Sequence, residues 1–127
     1  MKGSKIKTLI VGCGNIAGGF DLGQSGLPST HAGAYKYLDK FNITACVDPD
    51  QKKLEQFVVN WEVKHAFLNI EEVITSGLDF DVVSICSPTS FHYRDVCEAL
   101  KLKPKLIFCE KPLASNYEEA VAIKNMC

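Results

Sequence analysis

Apolar runs recur along the chain with helical patterns between them. KTLIVG (Lys7 to Gly12), ITACVD (Ile43 to Asp48), VVSICS (Val82 to Ser87) and KLIFCE (Lys105 to Glu110) are short, rich in β-branched and large apolar residues, and bounded by turn signals. These spacings predict strands, with a weaker one at Lys64 to Phe67. Because the runs are apolar at nearly every position rather than alternating, they suit a parallel sheet covered on both faces. Between them, Leu54, Phe57, Val58 and Trp61 fall at i, i+3, i+4 and i+7, the stripe of a helix starting beside Pro49 or Asp50. Val96, Ala99 and Leu100 mark a helix over 91–100. Asn69 with Glu72, and Ser115 with Glu118, have the spacing of a capping residue and its carboxylate, so helices are expected to begin at both. The alternation of strand and helix predicts one doubly wound α/β domain over residues 1–127, a mainly parallel sheet with helices on both faces.

The stretch 21–30, DLGQSGLPST, is the one irregular interruption, since its glycines and proline oppose a continuous helix. At the other end, the pattern stops at Cys127 inside a helical stretch, so the expectation is a chain that forms one part of a longer protein. Fourteen basic against fifteen acidic residues leave a net charge of -1, which gives no electrostatic pull toward nucleic acid or anionic lipid. No segment has the length of a membrane span. Six cysteines could in number form three disulfides, but there is no CxxC pair. Cys46, Cys86 and Cys109 each sit within an apolar run, where a thiol acts as a small hydrophobe. Free thiols, no metal site and a cytoplasmic setting are expected.

Four motifs carry chemistry. GCGNIAGG (Gly12 to Gly19) directly follows the first strand, where the first helix is expected to begin. Gly12 suits the tight turn, Gly14 lets backbone approach a pyrophosphate, and Ala17 fills the small third position of a dinucleotide fingerprint. The amides of Asn15 and Ile16 would face the anion. Asp48 closes the second strand, where a carboxylate can accept both adenosine ribose hydroxyls and repel the extra phosphate of NADP, favouring NAD. A second role is open to it, capping the next helix with Pro49 in the first turn. Asp48 also lies farther from Gly14 than the roughly 20 residues of the general fingerprint, a surplus that the 21–30 segment supplies. Ser87, Pro88 and Thr89 end the fourth strand, and Glu110, Lys111 and Pro112 the fifth, both at the carboxyl edge where open α/β sheets hold ligands.

GCGNIAGG, CVDPD, SPTSFH and EKPLA occur in an order and placement that resembles the glucose-fructose oxidoreductase and inositol dehydrogenase family, Gfo/Idh/MocA, over nearly the whole chain. EKPLA is the most specific piece. The resemblance implies an NAD(P)-dependent oxidoreductase of sugars, cyclitols and related polyols, with a second α/β domain. It assigns Gly12, Gly14, Asn15 and Ile16 to the pyrophosphate and Asp48 to the ribose. Ser87, Pro88, Thr89 and His92 would lie along the cofactor toward its nicotinamide end. Lys111 would be the catalytic lysine beside nicotinamide and substrate, positioned by Glu110 and Pro112, with a lysine-proline bond that is often cis. For His92, packing at a helix start stands equally beside cofactor contact. His31 and His65 carry no assignment. The family's acid-base histidine belongs to the second domain, and nothing in these residues corresponds to it. A dinucleotide sensor of the same fold and another Rossmann dehydrogenase class, acting on a small acid or amino acid, are the alternatives; EKPLA argues against the latter. The oligomeric state is left open.

Overall fold

The computed structural model describes residues 3–23 and 26–127. Five parallel strands form one sheet in the order β3-β2-β1-β4-β5, where β1 is Ile6–Val11, β2 Phe41–Val47, β3 His65–Phe67, β4 Val82–Ile85 and β5 Leu106–Cys109. The connecting helices are α1 His31–Leu38, α2 Gln51–Trp61, α3 Ile70–Ser76, α4 His92–Leu100 and α5 Tyr117–Met126. This is the expected doubly wound sheet, and its order reverses between β1 and β4. A reversal of that kind opens a crevice at the carboxyl ends of the strands.

Side chains alternate across the sheet and build two cores. Leu9 and Val11 of β1 face one way and pack with Val83, Ile85, Val73 and Val96, beneath α3, α4 and α5. Ile10 faces the other way, with Cys46, Ala32, Leu54 and Phe57, beneath α1 and α2. Each large apolar side chain buried in this way contributes about 1.5–3 kcal/mol. The cysteines are all free thiols; Cys13, Cys46 and Cys86 are buried, and burial raises the Cys86 thiol well above its ordinary range.

The capping signals hold at α3 and differ at α2 and α5. Asn69 caps α3 by accepting from the Glu72 N–H at 2.9 Å. α2 is capped by Asp50, which accepts from Lys52 and Lys53, so Asp48 is not the cap and Pro49 lies outside the first turn. The last helix begins one residue later than expected. Asn116, not Ser115, accepts from the Glu119 N–H, and the Glu119 carboxylate takes the Ser115 N–H in return. Both registers offer a capping side chain with a glutamate three residues on, and the reciprocal pair at Asn116 satisfies two orphan amides at once.

The glycine motif is not followed by a continuous helix. After Gly14 comes a turn in which Gly18 and Gly19 donate to the Gly14 carbonyl and Phe20 to that of Asn15, and then a short 3-10 turn over Gly19–Asp21. The chain then leaves and returns, and α1 starts only at His31 with Thr30 as cap. The 21–30 segment is fastened at its base by Asp21, whose carboxylate accepts from the backbone and hydroxyl groups of both Ser29 and Thr30. The Thr30 hydroxyl is the main reason that this carboxyl lies below its usual range. Gln24 and Ser25 of the segment lie outside the described residues.

β5 corrects the expectation of a sheet covered on both faces. Ile107 and Cys109 pack against the core beneath α4 and α5, whereas Leu106 and Phe108 on the opposite face are 55% and 51% exposed. The physical cause is position: β5 is the edge strand, and the ring of His31 in α1 lies 4.6 Å from that of Phe108.

Candidate functional site

The carboxyl ends of β1, β2, β4 and β5 converge on one cleft. Gly12 stands at its floor with a φ of 91°. A Cβ there would lie 2.6 Å from the Ser87 nitrogen, so the position needs glycine both for its backbone conformation and for the close passage of the chain leaving β4. Gly14 has a different reason: a Cβ on it would meet nothing within 4 Å, because it opens onto the cleft. Among the described residues the N–H groups of Gly14, Asn15 and Ile16 take no protein acceptor. Free amides around an open glycine are what a bound pyrophosphate requires, and the residues present fit a dinucleotide.

A cavity of about 460 Å³ follows from this arrangement. Gly12, Gly14 and Ile16 line one side, Asp48 and Lys53 the second, and Ser87, Pro88, Thr89, His92, Glu110 and Lys111 the third. A second cavity of about 650 Å³ shares Gly12, Asp48, Lys53, Ser87 and Pro88 and extends past Leu68, Phe91 and Arg94. Together they form a channel from the ends of β2 and β3 to the end of β5. Asn15 lines neither; it borders an adjoining recess with Gly19 and Trp61.

Asp48 is buried, and both of its oxygens are engaged. One accepts from the Cys13 N–H at 2.9 Å and the other from the Asp50 N–H at 2.8 Å. The carboxylate therefore ties the glycine loop to the start of α2 while still bordering both cavities. His92 lies in the wall of the cleft with both ring nitrogens engaged by backbone. Its ring is 1% exposed, with Nε2 2.7 Å from the Ser87 carbonyl oxygen and Nδ1 2.8 Å from that of Pro112. The ring brackets the two turns that flank the cleft instead of offering a free nitrogen to it. Ser87 is held again by its hydroxyl, which donates to Asp95 at 2.6 Å.

Glu110 and Lys111 leave β5 at the cleft, and the Lys111-Pro112 peptide is cis. The Glu110 carboxylate is paired with His31 at 2.8 Å. The hydrogen bond from His31 first, then the His31 charge, and after it the Lys111 backbone N–H and charge, hold the carboxyl below its usual range against a partial desolvation. Lys111 is exposed and lines the cleft. Sequence reasoning left His31 without a role and passed over Phe91, Arg94 and Asp95. The Arg94 guanidinium lies 4.4 Å over the Phe91 ring and donates to Asp95, forming part of the far wall of the channel. No helix of the described residues is long and apolar enough to cross a membrane.

The arrangement matches a family model described as an oxidoreductase family with an NAD-binding Rossmann fold, over residues 6–127. The chain belongs to the Gfo/Idh/MocA family. Among curated Gfo/Idh/MocA relatives, glucose-6-phosphate 3-dehydrogenase of Bacillus subtilis is 30% identical over 104 residues, covering 82% of this chain and 28% of the relative. Myo-inositol 2-dehydrogenase of Thermotoga maritima is 32% identical over 95 residues, 75% of this chain and 28% of the relative. Among solved structures, an oxidoreductase from Agrobacterium radiobacter in complex with NAD+, L-tartaric acid and magnesium superposes with a TM-score of 0.78 at 25% identity. That match covers 97% of this chain and 32% of the other. The chain thus spans less than a third of the length of these relatives, and its part of the family architecture is the NAD-binding Rossmann domain.

Proposed function

We propose that this chain is the cofactor half of a cytoplasmic NAD-dependent oxidoreductase that moves a hydride between nicotinamide and a sugar, cyclitol or related polyol. The observation that carries this reading is the convergence of the open Gly14 turn, Asp48, the Ser87–Thr89 turn and Lys111 on one channel at the sheet reversal. The relatives named above are dehydrogenases of a sugar phosphate and of an inositol, both polyhydroxylated alcohols.

In this reading the N–H groups of the Gly14 turn bind the pyrophosphate, and Asp48 accepts from the adenosine ribose with the lone pairs its two amide bonds leave free. His92 acts through the backbone: it fixes the turns carrying Ser87 to Thr89 and Pro112. The nicotinamide, when bound, supplies the hydride acceptor. Lys111 polarises the reacting oxygen or helps move its proton. The acid-base partner, and the walls that select the substrate, belong to a second domain of the parent protein.

Calorimetric titration of the purified chain tests this. One NADH per chain is expected, bound more tightly than NADPH because the buried Asp48 carboxylate faces the adenosine ribose. Equal or tighter binding of NADPH contradicts the ribose assignment, and no binding of either contradicts the function.

A further inference from the structure

Resting on the cofactor-cleft reading, we propose that His31 is a positioning residue for the nicotinamide end of that cleft, acting through Glu110 on Lys111.

Four buried or part-buried polar groups, two from α1, one from β4 and one from the end of β5, form one directed chain. Glu110, held as a carboxylate, can only accept, so the His31 Nε2 donates to it over 2.8 Å. The opposite ring nitrogen, Nδ1, then accepts from the Ser84 hydroxyl at 3.0 Å. With its proton spent on His31, Ser84 accepts from the Tyr35 hydroxyl. With a neutral imidazole this direction satisfies every member and puts the ring proton on the cleft side. Ser84 is fully buried in β4, and His31 and Tyr35 belong to α1.

Stability alone does not account for the chain, because a buried polar cluster can usually be replaced by apolar side chains of similar volume at little cost. Its end point is informative. Among the described residues the Lys111 ammonium has no carboxylate within ion-pair distance, although Glu110 is its neighbour in sequence; the partner of Glu110 is His31. By holding the Glu110 carboxylate inward, His31 keeps it from capturing the ammonium of Lys111, which borders the cleft. Loss of the His31 donor frees Glu110 to swing across and neutralise the lysine.

The test compares NADH with ADP-ribose, which lacks the nicotinamide, on the 127-residue chain. Wild type should bind NADH more tightly than ADP-ribose. His31→Phe, which keeps a ring but has no donor, should weaken NADH by about tenfold and change ADP-ribose by less than about twofold. His31→Gln, whose amide offers a donor toward Glu110 and an acceptor toward Ser84, should restore most of the NADH affinity. If His31→Phe does not fold, Ser84→Ala removes the support behind Nδ1 and should give the same selective loss. Equal loss of both nucleotides, or loss of neither, overturns the positioning role while the cofactor reading stands. Failure of the wild type to bind either nucleotide removes that reading, and the inference with it.

Discussion

The His31 imidazole and the Glu110 carboxylate meet at 2.8 Å, joining the first turn of α1 to the residue before Lys111. The contact makes the Gly12 loop and the Glu110 turn two sides of one construction, since α1 also receives the loop: His31 and Ala32 donate to the carbonyls of Ile16 and Ala17. Changes on either side should therefore be separable into those that damage the frame and those that damage the cleft.

The two glycines of the loop separate these effects most sharply. Gly12→Ala should lower stability by about 1–3 kcal/mol or more, because it combines positive φ with a clash against backbone. Gly14→Val should leave the melting temperature nearly unchanged, since its side chain would enter open space. It should weaken NADH binding at least about tenfold by filling the pyrophosphate position. Denaturant unfolding beside NADH titration of both variants checks the pair, and the reverse assignment of effects would contradict it.

Asp48 should show both effects together. Asp48→Ala leaves the Cys13 and Asp50 amides without their acceptor, a loss of about 1–3 kcal/mol for each buried amide that water does not reach. The same change should reduce the preference for NADH over NADPH. Unfolding curves and competitive titrations would expose a purely structural role if stability fell and selectivity did not change.

The Asp21 fastening should be acid-labile. Its folded carboxyl lies below the usual aspartate range, chiefly through the Thr30 hydroxyl. A group depressed in this way adds stability that is present above its unfolded pKa and is lost as pH falls through the folded one. Wild type should therefore lose more stability than Asp21→Asn as pH drops from about 5 toward 3. Thermal melts of the two proteins across that range should converge at the acid end. Parallel curves would show that the carboxylate does not hold the segment.

Much of the fold was legible because strands in a buried sheet and capping side chains announce themselves locally. The five strands, the Asn69 cap and the α4 stripe needed no knowledge of distant partners. The Ser115 register failed because the neighbouring Asn116 carries the same signal. The chain from Glu110 to Tyr35 was not legible, since His31 meets Ser84 and Glu110 across 53 and 79 positions. Nor does KLIFCE reveal which helix covers it; the exposure of Leu106 and Phe108 depends on the reach of α1.

That uncovered face should make the chain self-associate. Leu106 and Phe108 lie on one side of the edge strand, more than half exposed, and contiguous apolar surface tends to find partners. Light scattering over a concentration series should show mass rising with concentration, and Phe108→Lys should suppress the rise. A monomer at every concentration would show that the patch is inert.

The central claim is that a dinucleotide lies across the reversal of the sheet, and amide chemical-shift mapping during an NADH titration tests it most directly. The largest shifts should fall at Gly14, Asn15 and Ile16, at Asp48, and along Ser87 to Thr89 and Glu110 to Lys111. The amides of β5 at Leu106 and of the Lys5–Asp39 surface pair at the opposite edge should not move. Absent shifts, or shifts centred away from the Gly14 turn, would contradict the account.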